Sequence, residues 1–172
     1  GIIAPNMGRR KGLNLYELDK VIEQAFSVKN LKAVVLQINS PGGSPVQSEM
    51  ISKRIRDLSE DKNIPVLAFV EDVAASGGYW LACAADEIFA SKASIIGSIG
   101  VISSGFGFDK AIKKIGVDRR LYTSGENKAI LDPFLPENKD DIKRLKDIQK
   151  ELHNQFISVS YTHLTLPTMY TV

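Results

Sequence analysis

Pro65-Val66-Leu67-Ala68-Phe69-Val70 is a short apolar run that leads, through Asp72-Val73-Ala74-Ala75, into Ser76-Gly77-Gly78-Tyr79-Trp80. A run this short suits a strand buried on both faces of a parallel sheet. Two alanines before Ser76 and two glycines after it leave little side-chain bulk around the hydroxyl. An attacking oxygen must come within about 3 to 3.5 Å of a carbonyl carbon, and a glycine N–H just past the serine can point at the developing oxyanion. The same residues also suit a tight strand-to-helix turn with Ser76 as its cap.

Upstream, Ala33-Val34-Val35-Leu36-Gln37-Ile38 repeats the strand pattern and ends in Asn39-Ser40-Pro41-Gly42-Gly43-Ser44-Pro45. A helix precedes it: Asn14 offers a cap with Glu17 three residues on, and Leu15, Leu18, Ile22, Ala25 and Phe26 share one face. Ile2-Ile3 reads as the end of a strand. Ser44 caps a second helix whose first residue is Pro45 and whose buried stripe is Met50, Ile51, Ile55 and Leu58. Downstream, the pattern predicts a helix over 79–85, a strand over 86–90, a turn-rich connector over 91–100 and a short strand at Val101-Ile102. A basic helix over 109–115, a strand over 117–123 and a loop over 124–136 follow. The last helix, 137–157, carries a narrow stripe of Ile142, Leu145, Ile148, Gln149, Leu152 and Phe156 for packing on the domain or on a partner chain. Strands alternating with helices imply right-handed crossovers and a mainly parallel sheet covered by helices, so the class is α/β.

The 172 residues, 44% hydrophobic and 24% charged, suffice for one domain with a real core. The expected division is a single domain over 1–157 and a tail over 158–172. From Ser160 on, Tyr-Thr-His-Leu-Thr-Leu-Pro-Thr-Met-Tyr-Thr-Val resembles translated sequencing-adaptor read-through rather than a domain end. A net charge of +2 is too small to imply nucleic acid or an anionic membrane surface, and Arg9-Arg10-Lys11 reads as solvated loop. The one cysteine, Cys83, lies in an apolar helical stretch and reads as a core thiol, so neither a disulfide framework nor a metal-ligand cluster is expected, and no cofactor. No apolar run reaches the length of a membrane span.

A serine nucleophile needs a base. Of the two histidines, His153 sits in the charged last helix and His163 in the tail, which leaves a lysine. Lys128 is the candidate because it lies in a Gly-containing loop between a strand and prolines. A lysine acting as base near neutral pH must drop from about 10.4 to about 7 or 8, roughly 3 to 5 kcal/mol that burial in an apolar cleft can supply. Glu126 and Asp132, close in sequence, could instead pair with it, and an exposed loop lysine is the plain alternative. The paired glycines at Gly42-Gly43 let backbone N–H groups face a cleft at a helix start, for an oxyanion or a phosphate, or simply make a turn.

Together, Asn39-Ser40-Pro41-Gly42-Gly43, Ala75-Ser76-Gly77-Gly78-Tyr79, Gly97-Ser98-Ile99-Gly100-Val101 and Ser124-Gly125-Glu126-Asn127-Lys128 resemble the signal peptide peptidase A family of bacterial serine peptidases. The resemblance covers about 13–157. It implies a ClpP/crotonase-like fold of repeated ββα units, Ser76 as nucleophile and Lys128 as general base. It further implies Ser98 as the residue that orients the lysine, and Gly43 and Gly77 as oxyanion-hole donors. It also implies cleavage of leftover signal peptides at the bacterial cytoplasmic membrane, a ring-shaped homo-oligomer, and membrane attachment through an N-terminal segment absent here. A stomatin-operon-type membrane protease shares the fold and the dyad. From other classes come a non-catalytic peptide-binding or scaffold ring subunit and a crotonase-like acyl-CoA enzyme, which also holds an oxyanion with paired amides.

Overall fold

The computed structural model describes residues 1–6, 12–125 and 127–164; Arg9-Arg10-Lys11, Glu126 and the tail beyond 164 lie outside the described residues. The elements in order are α1 (Leu15–Phe26), β1 (Val34–Ser40), α2 (Pro45–Lys62), β2 (Val66–Ala75), α3 (Gly77–Ala82), β3 (Glu87–Ala90), β4 (Ile95–Gly97), α4 (Asp109–Lys114) and α5 (Lys139–Leu164). The chain forms two compact units. The first comprises Gly1–Gly100 with Asn154–Val172, and the second Val101–His153.

The first unit is α/β. Its sheet has the order β1-β2-β3, with β4 pairing β2 beyond the end of β3, and every one of these pairings is parallel. The caps form as the sequence implies: Asn14 Oδ1 accepts the Glu17 amide at 3.1 Å, and Ser44 caps α2 with Pro45 in its first turn. Ile51, Ile55 and Leu58 bury the inner face of α2, each contributing about 1.5 to 3 kcal/mol by leaving water. Cys83 is a buried core thiol, as expected.

Several expectations are corrected. The strands are not buried on both faces. Val34, Ile38, Val66, Ala68 and Val70 face the core, whereas Val35 is exposed and Phe69 and Phe89 remain 44% and 41% exposed, stacked with centroids 4.9 Å apart. The 91–100 connector contains β4, and β2 runs on through Glu71 and Asp72 to Ala75. Among the described residues no strand forms at Val101-Ile102 or over 117–123. The last helix does not break near 158 either. It continues to Leu164, with Ser160 buried and its hydroxyl donating to the Phe156 carbonyl at 2.8 Å. Phe156 stacks on Trp80 at 4.9 Å and lies 6.5 Å from the Tyr79 ring, so the end of α5 packs on α3.

The second unit holds α4 and the first part of α5. Phe108 stacks on Phe134 at 5.6 Å, its amide donates to the Pro133 carbonyl at 2.6 Å, and the Arg119 guanidinium lies 5.7 Å from the Phe134 ring centre.

Candidate active site

Ser76 occupies the one-residue corner between β2 and α3, at φ 51° and ψ −124°. A left-handed serine costs on the order of 1 to 3 kcal/mol and persists only where its surroundings over-determine it. Those surroundings are visible. The Ser76 amide donates to the Gly97 carbonyl at 2.8 Å, continuing the β2–β4 pairing past Ala75–Gly97, and its carbonyl accepts the Trp80 amide at 3.0 Å. Strained serines at such strand-to-helix turns present the hydroxyl outward. Ser76 stands in the cap position of α3 but makes no side-chain capping bond, so its hydroxyl is not spent on the helix.

The glycine loop after β1 lies directly against this corner. Between the pairs Ile38–Val70 and Ser40–Ala74 the register shifts, bringing the end of β1 level with the approach to Ser76. Gly42, at φ +95°, sits so close that a Cβ there would lie 2.6 Å from the Gly77 nitrogen, 2.7 Å from the Ala75 carbonyl oxygen and 2.9 Å from the Ser76 Cβ. A Cβ on Gly78 would lie 2.4 Å from the Ser40 carbonyl oxygen, and one on Gly77 would lie 2.4 Å from the buried Ser48 hydroxyl. Only glycine permits the two segments to meet here.

The direction of the Gly43 amide follows from its neighbours. The Ile3 amide donates to the Gly42 carbonyl at 2.9 Å, and the Ser44 amide donates to the Ile3 carbonyl at 2.7 Å. In a planar trans peptide the N–H points opposite to the C=O. The Gly43 N–H therefore points away from Ile3, and its nitrogen lies 3.4 Å from where a Gly77 Cβ would stand. No hydrogen bond among the described residues uses it. The Gly77 N–H, at the first position of α3, belongs to the turn whose amides have no partner within the helix.

Ser98 directly follows Gly97. It is exposed, and its φ of 56° after the 121° of Gly97 marks a sharp exit from β4. The first unit thus brings together Ser76, Gly43, Gly77 and the backbone beside Ser98. Lys128 lies in the second unit, exposed, in a turn where its amide donates to the Gly125 carbonyl at 3.3 Å. Of the two carboxylates close to it in sequence, Asp132 accepts the Phe134 amide and the Arg119 guanidinium, each at 2.9 Å, and these bonds hold its carboxyl below the ordinary range. Glu126 lies outside the described residues. Behind the corner, burial pushes the Cys83 thiol up to about 12 and raises the Tyr79 phenol beside it, so neither offers an anion at neutral pH.

Ile3 and Ser48 were not singled out from the sequence. A strand-end Ile and a helical Ser carry no functional signal until the glycine contacts show what they press against.

The family model for peptidase family S49 matches residues 59–167. The chain belongs to peptidase family S49. Over 126 residues the chain is 38% identical to the "Serine protease SPPA, chloroplastic" of Arabidopsis thaliana, covering 69% of this chain and 18% of that one. A 150-residue match, 55% identical, is to the "Na(+)/H(+) antiporter NhaA" of Brucella melitensis biotype 1, covering 87% of this chain and 20% of that one. The chain spans less than half the length of the curated relatives it matches. No described helix of this S49 chain is long and apolar enough to cross a membrane. Among solved structures, an enoyl-CoA hydratase from Mycobacterium avium subsp. paratuberculosis K-10 is similar at a TM-score of 0.38 and 18% identity, over 87% of this chain and 74% of that one.

Proposed function

We propose that the chain is the core of a serine endopeptidase in which Ser76 is the nucleophile, Lys128 the general base, and the Gly43 and Gly77 amides the oxyanion donors. The observation that carries this reading is the strained Ser76 corner, with no capping bond from its hydroxyl and the Gly43 N–H beside Gly77, directed away from Ile3. Membership of family S49 supports the reaction class. Lys128 enters from its place in Ser124-Gly125-Glu126-Asn127-Lys128, and Ser98 from its motif, as the residue that orients the lysine.

In the proposed cycle, Ser76 Oγ attacks the scissile carbonyl carbon while neutral Lys128 takes its proton, and the oxyanion forms against the two amides. The lysine returns the proton to the leaving amine, and water, activated by the same lysine, hydrolyses the acyl-enzyme. The substrates are short, extended, apolar peptides, with cleaved signal peptides at the bacterial cytoplasmic membrane the proposed source. Copies of the chain assemble into a ring, attached to the membrane through sequence outside these residues.

Intact-mass spectrometry after exposure to a fluorophosphonate, over about pH 6 to 10, tests the dyad. One adduct is expected, on Ser76, rising with pH and absent from both Ser76→Ala and Lys128→Ala. A folded protein that takes no adduct at any pH would instead be a non-catalytic peptide-binding or scaffold subunit.

A further inference from the structure

We infer that Ser40 is a positioning residue for the oxyanion site: its hydroxyl locks the Gly42 peptide and so fixes the direction of the Gly43 N–H. This rests on the oxyanion role given to Gly43 above. Ser40 is 2% exposed, and its Oγ accepts the Gly42 amide at 3.1 Å.

Two peptide planes flank the Gly42 Cα. The one after it, which contains the Gly43 N–H, is held by the Ile3 amide on the Gly42 carbonyl. The one before it, which contains the Gly42 N–H, is held by Ser40 Oγ. With both planes fixed, the φ and ψ of Gly42 are fixed as well. Without the Ser40 hydroxyl, a glycine at φ +95° would have one restrained side only, and glycine is the residue with most freedom to use it. Ser40 is itself immovable. Pro41 restricts the backbone before it to extended conformations, Ser40 stands opposite Ala74 in the sheet, and the Ser40 carbonyl lies against Gly78 of the nucleophile helix. One buried serine therefore links the sheet, the glycine loop and α3.

An oxyanion donor acts through preorganisation, since its value depends on already pointing where charge will develop. Loosening a donor should therefore lower turnover while leaving ground-state binding alone. The experiment compares the full chain with Ser40→Ala and Ser40→Thr on a fluorogenic apolar peptide amide, and measures inhibition by the matching peptide aldehyde, whose hemiacetal oxygen occupies the oxyanion position. Ser40→Ala is expected to lower kcat by about tenfold or more, below the loss seen when an oxyanion donor is deleted outright, with KM within about twofold. Aldehyde affinity should fall in parallel. Ser40→Thr, which keeps the acceptor, should restore most of kcat.

Wild-type kcat and aldehyde affinity in Ser40→Ala would overturn the inference, as would a loss confined to KM. If Ser40→Ala does not fold, Ser40→Cys takes its place: a weaker acceptor predicts intermediate kcat at unchanged KM, and wild-type kcat there overturns the inference too. Failure of the catalytic reading is separate, for it would leave the wild type itself without turnover or fluorophosphonate adduct.

Discussion

The amide of Ser76 donates to the carbonyl of Gly97 at 2.8 Å, so the nucleophile candidate is pinned by the last residue of β4, a strand of three residues that pairs only past the end of β3. This bond helps hold Ser76 at φ 51°, a value that serine adopts at a cost. Ser76→Gly should therefore unfold at higher urea than Ser76→Ala, by about 1 kcal/mol or more, while both lose turnover. Equal midpoints for the two variants would mean that the corner stores no strain.

Gly42 and Gly100 make a controlled pair. A methyl on Gly42 meets the backbone at 2.6 and 2.7 Å in a left-handed conformation, whereas nothing lies within 4 Å of one on Gly100. Gly42→Ala should cost about 2 to 4 kcal/mol of stability and abolish turnover. Gly100→Ala should stay within about 0.5 kcal/mol of wild type. Denaturant titration of the two variants checks both.

Phe156 is 2% exposed against Trp80 and Tyr79. Truncation there removes a stacked aromatic and leaves a cavity, so Phe156→Ala should cost about 3 to 5 kcal/mol. Because α3 begins one residue after Ser76, fluorophosphonate labelling should fall with it. Unchanged stability would show that the end of α5 contributes no packing to α3.

Burial raises Cys83 from an ordinary 9.0 to about 12, and Tyr79 is raised in the same way. The unfolded chain would lose the thiol proton near pH 9 while the native chain keeps it, so between these values the unfolded state binds fewer protons. Stability is then full below about pH 9 and declines as pH rises toward 12, by at most about 1.4 kcal/mol per unit from this group. Urea midpoints measured at successive alkaline pH values should fall, and Cys83→Ala should flatten the decline between pH 9 and 10.

The local parts of this fold were legible from the sequence. Asn14 and Ser44 announce their helices because a cap and a hydrophobic stripe lie within a few residues of each other. β4 was not legible, because Ile95-Ile96-Gly97 is a strand only by pairing with Val73-Ala74-Ala75, a non-local contact with no periodicity of its own. Val35 and Phe69 misled for a related reason: apolar character along a strand does not say which face a helix will cover. At the site, the glycines and Ser76 stood out through their composition. Ser40 is a case in between, since a serine two residues before a glycine amide is a known local turn-former, but its burial against Gly78 is written only in three dimensions.

The packing of Phe156 on Trp80 also orders events during synthesis. Ile3, Gly42, Ser76 and Gly97 all leave the ribosome before the ring that seals the back of α3 exists. The corner can be sketched early, yet its back is closed only once α5 has been made.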